Sequence, residues 1–227
     1  MKELRRGHPS NSQYKDAMKH KRYNIAIIPP EGIAEQAMTL SRALAPYNPL
    51  FTLDGKTLFP HISLYHVSLT EEVLDVVVER LEKTLATIHS FPLKQETYYP
   101  KEGVWIGVRY VKDKPILDLH SLVIAAVRDL RVPEKSQRYE AEWQELSLAE
   151  RKEIEYCGWS SAFALYSPHL NFSKLEIPYA GLLAELPVYD FSFEVTEIGL
   201  YEIGKQGTCT RLLAALPLVV APEIQES

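Results

Sequence analysis

The sequence predicts an α+β fold, and three observations lead there. Short apolar runs rich in β-branched and aromatic residues, such as YNIAIIPP (23–30) and GVWIGVRYV (103–111), have the length and composition of strands. Longer segments repeat their apolar residues at intervals of three and four, as helices do. These elements follow one another as strand, helix, strand, helix, strand, strand, which is not the strict alternation of a parallel sheet. With 227 residues, 46% of them hydrophobic, the chain is long enough for one sizeable domain or for two small lobes sharing a core.

In chain order, residues 1–22 carry seven Lys and Arg against Glu3 and Asp16, and read as a flexible basic tail that also holds His8 and His20. The whole chain is acidic, with a net charge of −5, so a dedicated binder of duplex DNA is not expected. One domain is expected over 23–218. YNIAIIPP opens it as a buried strand, closed by its prolines. EGIAEQAMTLSRALAPY then has Ile33, Ala37, Leu40 and Leu44 on one helical face. TLFPHISLYHVSL is the next strand. In the helix TEEVLDVVVERLEKTLATIH, Thr70 stands at the N-cap position with Glu71 and Glu72 in the first turn.

FPLKQETYY and GVWIGVRYV are read as two strands joined through 100–103. KPILDLHSLVIAAVRDL is a third helix, with Leu117, Val123 or Ile124, and Val127 available to the core. The charge-dense stretch 131–166 reads as a peripheral insertion, and YSPHLNFSKLE returns to a strand. YDFSFEVTEIGLYEIGKQGTCTRLLAALPL gives two antiparallel strands around a turn from Gly204 to Gly207, followed by a short tail over 219–227.

The two cysteines, Cys157 and Cys209, form neither a CxxC pair nor a disulfide framework, and no His/Cys group has zinc spacing. No apolar run approaches the roughly 20 residues of a spanning helix, and the N-terminal stretch lacks the apolar core of a signal peptide. The expectation is a cytoplasmic, monomeric protein with no membrane partner.

One pattern is written twice. PHISLYH (60–66) recurs in altered form as PHLNFSK (168–174), one copy in each half of a repeated strand-helix-strand theme. With period-two alternation His61, Ser63 and Tyr65 share one face of their strand, and Ile62, Leu64 and His66 the other. His169, Asn171 and Ser173 share a face in the second strand, with Lys174 turned away unless the strand bulges. Each strand therefore offers a titratable imidazole beside a neutral hydrogen-bond donor. Two imidazoles suit in-line displacement at phosphorus, one removing a proton from the nucleophile and the other giving one to the leaving oxygen. Neutral donors then hold the non-bridging oxygens. Metal binding is disfavoured, because His61 and His66 face opposite sides and neither motif contains Asp or Glu.

At these residues the sequence resembles the two-histidine (2H) phosphoesterase superfamily, which includes RNA 2′,5′-ligase-like proteins and 2′,3′-cyclic nucleotide phosphodiesterases. The family signature is a pair of His-x-Thr/Ser motifs in strands of the form PHxTL. His61 and Ser63 match the first in full; in the second, Asn171 stands where the family has Thr or Ser. The first strand and helix and the C-terminal hairpin are also similar, and the likeness runs from residue 23 to about 218, weakest over 131–166.

The resemblance implies two pseudo-symmetric lobes, each an antiparallel sheet with helices on its outer face, around a central cleft. It further implies a cofactor-free enzyme acting on a small nucleotide or RNA-end substrate, with His61 and His169 as the acid/base pair and Ser63 and Asn171 as phosphate-binding donors. Which histidine is the base depends on which ester oxygen leaves.

Ser173, Tyr65, Trp105 and Tyr201 are further candidates for substrate contact, the aromatics by stacking on a base. Lys174 and Arg109 are candidate cations, and His89 and His120 read as structural. Two other readings compete with the enzyme: a binding module of the same fold weakened by Asn171, and a phosphoesterase for a non-nucleotide substrate, redefined by the 131–166 insertion.

Overall fold

A computed structural model describes residues 20–101, 104–133, 136–178 and 181–220. The basic stretch over 1–19 and the tail from 221 lie outside the described residues. The first strand, β1 (His20–Ile27), begins three residues ahead of the Tyr23 expected from hydropathy and takes in His20. Its buried part, Tyr23 to Ile27, is the apolar run read from the sequence.

β2 (Ile62–Thr70), β8 (Glu197–Ile203) and β9 (Cys209–Pro217) join β1 in an antiparallel sheet of order β2-β1-β8-β9. A second antiparallel sheet is built from β4 (Gln95–Lys101), β5 (Trp105–Tyr110) and β6 (His169–Lys174), in the order β4-β5-β6. The run FPLKQETYY, expected as one strand, divides at Lys94. Its first part is β3 (Phe91–Leu93), which pairs with β7 (Phe193–Val195), and its second part is β4.

Helices α1 (Glu31–Ala43), α2 (Leu74–Leu85) and α3 (Lys114–Val127) lie where periodicity puts them. Ile33, Ala37, Leu40 and Leu44 are all buried, as their spacing requires. A single turn of 3-10 helix (Glu71–Val73) separates Thr70 from α2, so Thr70 stands at the N-cap of that turn rather than of α2 itself. Asp113 caps α3 by accepting the Ile116 N–H. On α3 the core face is Ile116, Leu119, His120, Val123, Ile124 and Val127, with Leu117 only half-buried.

α2 and α3 lie against each other and against β9 and β2, whereas α1 lies against β6 of the other sheet. The architecture is thus α+β, with two main antiparallel sheets that carry helices and approach each other along β2 and β6.

The stretch 131–166, expected as an insertion, forms α4 (Gln137–Glu142) and α5 (Leu148–Cys157), the latter opened by a Ser147/Glu150 capping box. It is less peripheral than its charge suggests. Trp159, Ala162 and Tyr166 are buried in the main core, and the Tyr166 ring stacks at 3.9 Å on His120. A further short helix, α6 (Leu182–Glu185), precedes β7. Among the described residues no helix is long and apolar enough to cross a membrane. Cys157 and Cys209 are both free and buried.

Candidate active site

The two Pro-His motifs adopt the same local geometry. His61 Nδ1–H donates to the Phe59 carbonyl at 2.8 Å, and His169 Nδ1–H donates to the Ser167 carbonyl at 2.7 Å. In each motif the acceptor lies two residues before the histidine, with a proline between. Proline holds the preceding residue extended and has no N–H of its own to compete for the bond. The bond fixes the tautomer, so in both rings Nε2 is the nitrogen that takes up or releases a proton. His61 is half-buried, and burial pushes its imidazolium below the ordinary range, partly offset by the Phe59 carbonyl.

Both motif strands contain a β-bulge, and the bulges change which side chains face the site. In the β1–β2 ladder Ile25 pairs with Tyr65 and Ala26 with Ser63, leaving Leu64 as the extra residue. In the β5–β6 ladder Ile106 pairs with Ser173 and Gly107 with Asn171, leaving Phe172 extra. An extra residue inverts the inside-outside phase beyond it.

His66 therefore joins His61 and Ser63 on one side, correcting the strict alternation expected from sequence. Tyr65 turns inward; it is fully buried, and its hydroxyl donates to the Cys157 carbonyl. In β6 the same inversion buries Ser173, whose hydroxyl donates to the Phe51 carbonyl, and brings Lys174 to the side of His169 and Asn171. Neither Tyr65 nor Ser173 is presented to a ligand.

Trp105 is half-buried and pairs across β5–β6 with Lys174, whose Nζ lies 5.2 Å from its ring centre. Tyr201 lies on the site face of the first sheet, opposite Asn24, but only 1% of it is exposed and the Phe59 ring covers it at 5.6 Å. Stacking of a base on Tyr201 is therefore not available. Arg109 pairs with His169 and sits over the Tyr99 ring at 5.3 Å.

Each neutral donor is held from behind. Ser63 Oγ accepts from Asn24 Nδ2 at 2.8 Å and lies 3.1 Å from His66 Nε2, and the Ser63 carbonyl accepts from Tyr166 Oη at 3.0 Å. Asn171 Oδ1 accepts from Tyr99 Oη at 2.7 Å. The Tyr99 ring also meets His169 edge-on at 6.1 Å. His66 stacks on Trp159 at 5.0 Å. Its pKa falls to about 3, first through burial and then through repulsion by the nearby cations Arg22 and Arg138 and by the His61 and His169 rings whenever these are protonated, so His66 is neutral.

The turn between β8 and β9 reaches the same place. Gly207 approaches His66, and Gln206 Oε1 accepts from Lys174 Nζ at 3.4 Å. His120 is not part of the site: it is fully buried, its Nδ1–H donates to the Leu64 carbonyl at 2.7 Å, and its Nε2 accepts from the Phe163 N–H at 2.8 Å.

Sequence reasoning missed Tyr99, Asn24 and His66 as partners of the motif residues. Only the ladder registers and bulges bring them there. Among the described residues no group of three or more His, Cys, Asp or Glu side chains is placed to hold a metal ion.

This arrangement of sheets and helices is a fold shared with several solved structures. TT0787 of Thermus thermophilus superposes with a TM-score of 0.58 at 17% identity, over 88% of this chain and all (100%) of that one. A protein described as a phosphoesterase gives 0.54 at 15% identity, over 88% of this chain and 99% of that one. LigT of E. coli gives 0.53 at 14% identity, with the same coverage of 88% and 99%. LigT has also been crystallised with phosphate and with 3′-AMP. No family model and no curated protein sequence matches the chain.

Proposed function

We propose that the protein is a metal-independent phosphodiesterase acting on 2′,3′-cyclic phosphate or 2′,5′ linkages of nucleotides or RNA ends. The observation that carries this reading is the identical Nδ1–H···O=C bond in the two Pro-His motifs, each followed two residues later by a neutral donor. Two imidazoles with Nε2 as the working nitrogen supply one proton acceptor and one proton donor.

With a cyclic phosphate as substrate, one Nε2 takes a proton from water as its oxygen bonds to phosphorus. The other Nε2 gives a proton to the ribose oxygen as its bond to phosphorus breaks. The sum is the addition of one water, and each histidine ends in the other's starting state until protons exchange with solvent. Ser63 and Asn171 hold the non-bridging oxygens, where charge builds in the transition state. Lys174 offsets that charge from the second strand, and Trp105 is the aromatic available to a base. The fold shared with LigT, which has been crystallised with phosphate and with 3′-AMP, supports the substrate class.

The deciding experiment is hydrolysis of the four nucleoside 2′,3′-cyclic phosphates in EDTA, wild type beside His61→Ala, with the products resolved as 2′- or 3′-phosphate. Turnover lost in the variant supports the mechanism, and the isomer identifies the leaving oxygen. Activity that returns only with a divalent metal would overturn it. The amide at 171, in place of a hydroxyl, favours one second reading: a binding module for the same ligands, which binds without turnover.

A further inference from the structure

A phosphate-binding role makes a particular demand on Asn171, because an amide side chain has an acceptor end as well as a donor end. A carboxamide oxygen turned toward a phosphate would repel it. A hydroxyl rotates to suit its partner, whereas an amide must be fixed one way round.

The structure shows what fixes it. Tyr99 pairs with Gly107 across β4–β5, and Gly107 pairs with Asn171 across β5–β6, so the three form one cross-strand row. Directly paired residues share a face, and the middle member has no side chain. Tyr99 therefore reaches over Gly107, and its hydroxyl meets Asn171 Oδ1 at 2.7 Å. Tyr99 is only 5% exposed, and burial pushes its phenol well above the ordinary range, so it remains a protonated donor at any working pH. Arg109 lies over its ring and packs it in place.

We infer that Tyr99 is a positioning residue that clamps the Asn171 amide by its oxygen and leaves both Nδ2 hydrogens to bind the phosphate of the substrate. This rests on the proposed function and refines it. The second motif then presents hydrogen-bond donors alone, which selects for acceptor-only oxygens such as those of a phosphodiester. Tyr99 takes the place of the rotational freedom that a Thr or Ser hydroxyl would have, and Gly107 makes the reach possible.

The test is a double-mutant cycle on the full-length protein, read as affinity for inorganic phosphate by calorimetry. Melting temperatures of all four proteins serve as the control for folding. Tyr99→Phe should weaken phosphate about tenfold, because the released amide no longer holds its Nδ2 donors on the ligand and about one hydrogen bond to a charged group is lost. In the Asn171→Thr background the same change should have no effect, because a hydroxyl needs no clamp. Equal losses in both backgrounds, or no loss in either, would overturn the inference.

A second measurement does not depend on binding. In the free protein, nuclear Overhauser contacts from the Asn171 Nδ2 protons to the Tyr99 ring would show the amide reversed and would also overturn it. Nδ2 protons distant from that ring support it. A wild type that binds no phosphate but has the amide oriented as described would count against the proposed function and leave the clamp standing.

Discussion

His66 Nε2 lies 3.1 Å from Ser63 Oγ, although a regular strand places residues three apart on opposite faces. The bulge at Leu64 brings them together, and a matching bulge at Phe172 brings Lys174 to the side of Asn171. In both strands the residue five places after the motif histidine is thereby added to the site.

Removal of either histidine tests the mechanism most directly. His61→Ala and His169→Ala should each lower turnover by about 10²- to 10⁴-fold while leaving the melting temperature near that of wild type. Variants that retain full activity would exclude the acid/base pair.

The pH dependence follows from His61. Its pKa is lowered, so it is neutral across the physiological range. If His61 is the base, the acid limb of the rate profile lies below about pH 6.5, the ordinary histidine value, and activity persists above it. If it is the acid, activity is confined to the low-pH side. The rate profile distinguishes the two assignments.

Lys174 predicts a loss confined to binding. Lys174→Met should raise KM or weaken phosphate about tenfold or more, as expected for loss of a charge-assisted contact, with little change in stability. An unchanged KM would place its charge outside the site.

His120 governs stability rather than chemistry. Burial lowers its pKa to about 4, against about 6.5 when unfolded. Between those values the unfolded chain binds more protons, so stability is complete above pH 6.5 and declines as pH falls toward 4. His120→Phe leaves the Leu64 carbonyl and the Phe163 N–H without their partner. It should cost on the order of 3 kcal/mol at pH 7 and flatten the decline, both measurable by urea unfolding at pH 7 and pH 5.

Gly107→Ala tests the close approach of β5 to β6. A Cβ there would lie 2.2 Å from the Leu170 carbonyl oxygen, so the strand carrying His169 and Asn171 must move. Loss of activity with a stability cost on the order of 1–3 kcal/mol is expected, measured by turnover and thermal unfolding.

Most of the strands, the three long helices and both Pro-His motifs are legible in the sequence, because hydropathic period and proline placement are local properties; the division of FPLKQETYY at Lys94 and the extra short strand β7 in the C-terminal run, expected as two strands, are not. Strict alternation puts Tyr65, Ser173, His66 and Lys174 on the wrong faces for one physical reason. A bulge is a property of a pair of strands, and neither PHISLYH nor PHLNFSK marks its extra residue. Tyr201 is misjudged from sequence because the Phe59 ring that covers it is distant along the chain. Tyr99 is invisible as a partner of Asn171 because the link runs through two ladders and a glycine.

The position of β8 between β1 and β9 has a consequence for biosynthesis. β1 is synthesised well before β8, so one of its two edges stays unpaired until residues 197–203 are made. The turn that meets Lys174 and lies beside His66 follows later still. Such long-range pairing raises contact order and slows folding. A nascent chain halted before residue 197 therefore carries both Pro-His motifs but has an open sheet edge and lacks the β8–β9 turn beside the candidate site.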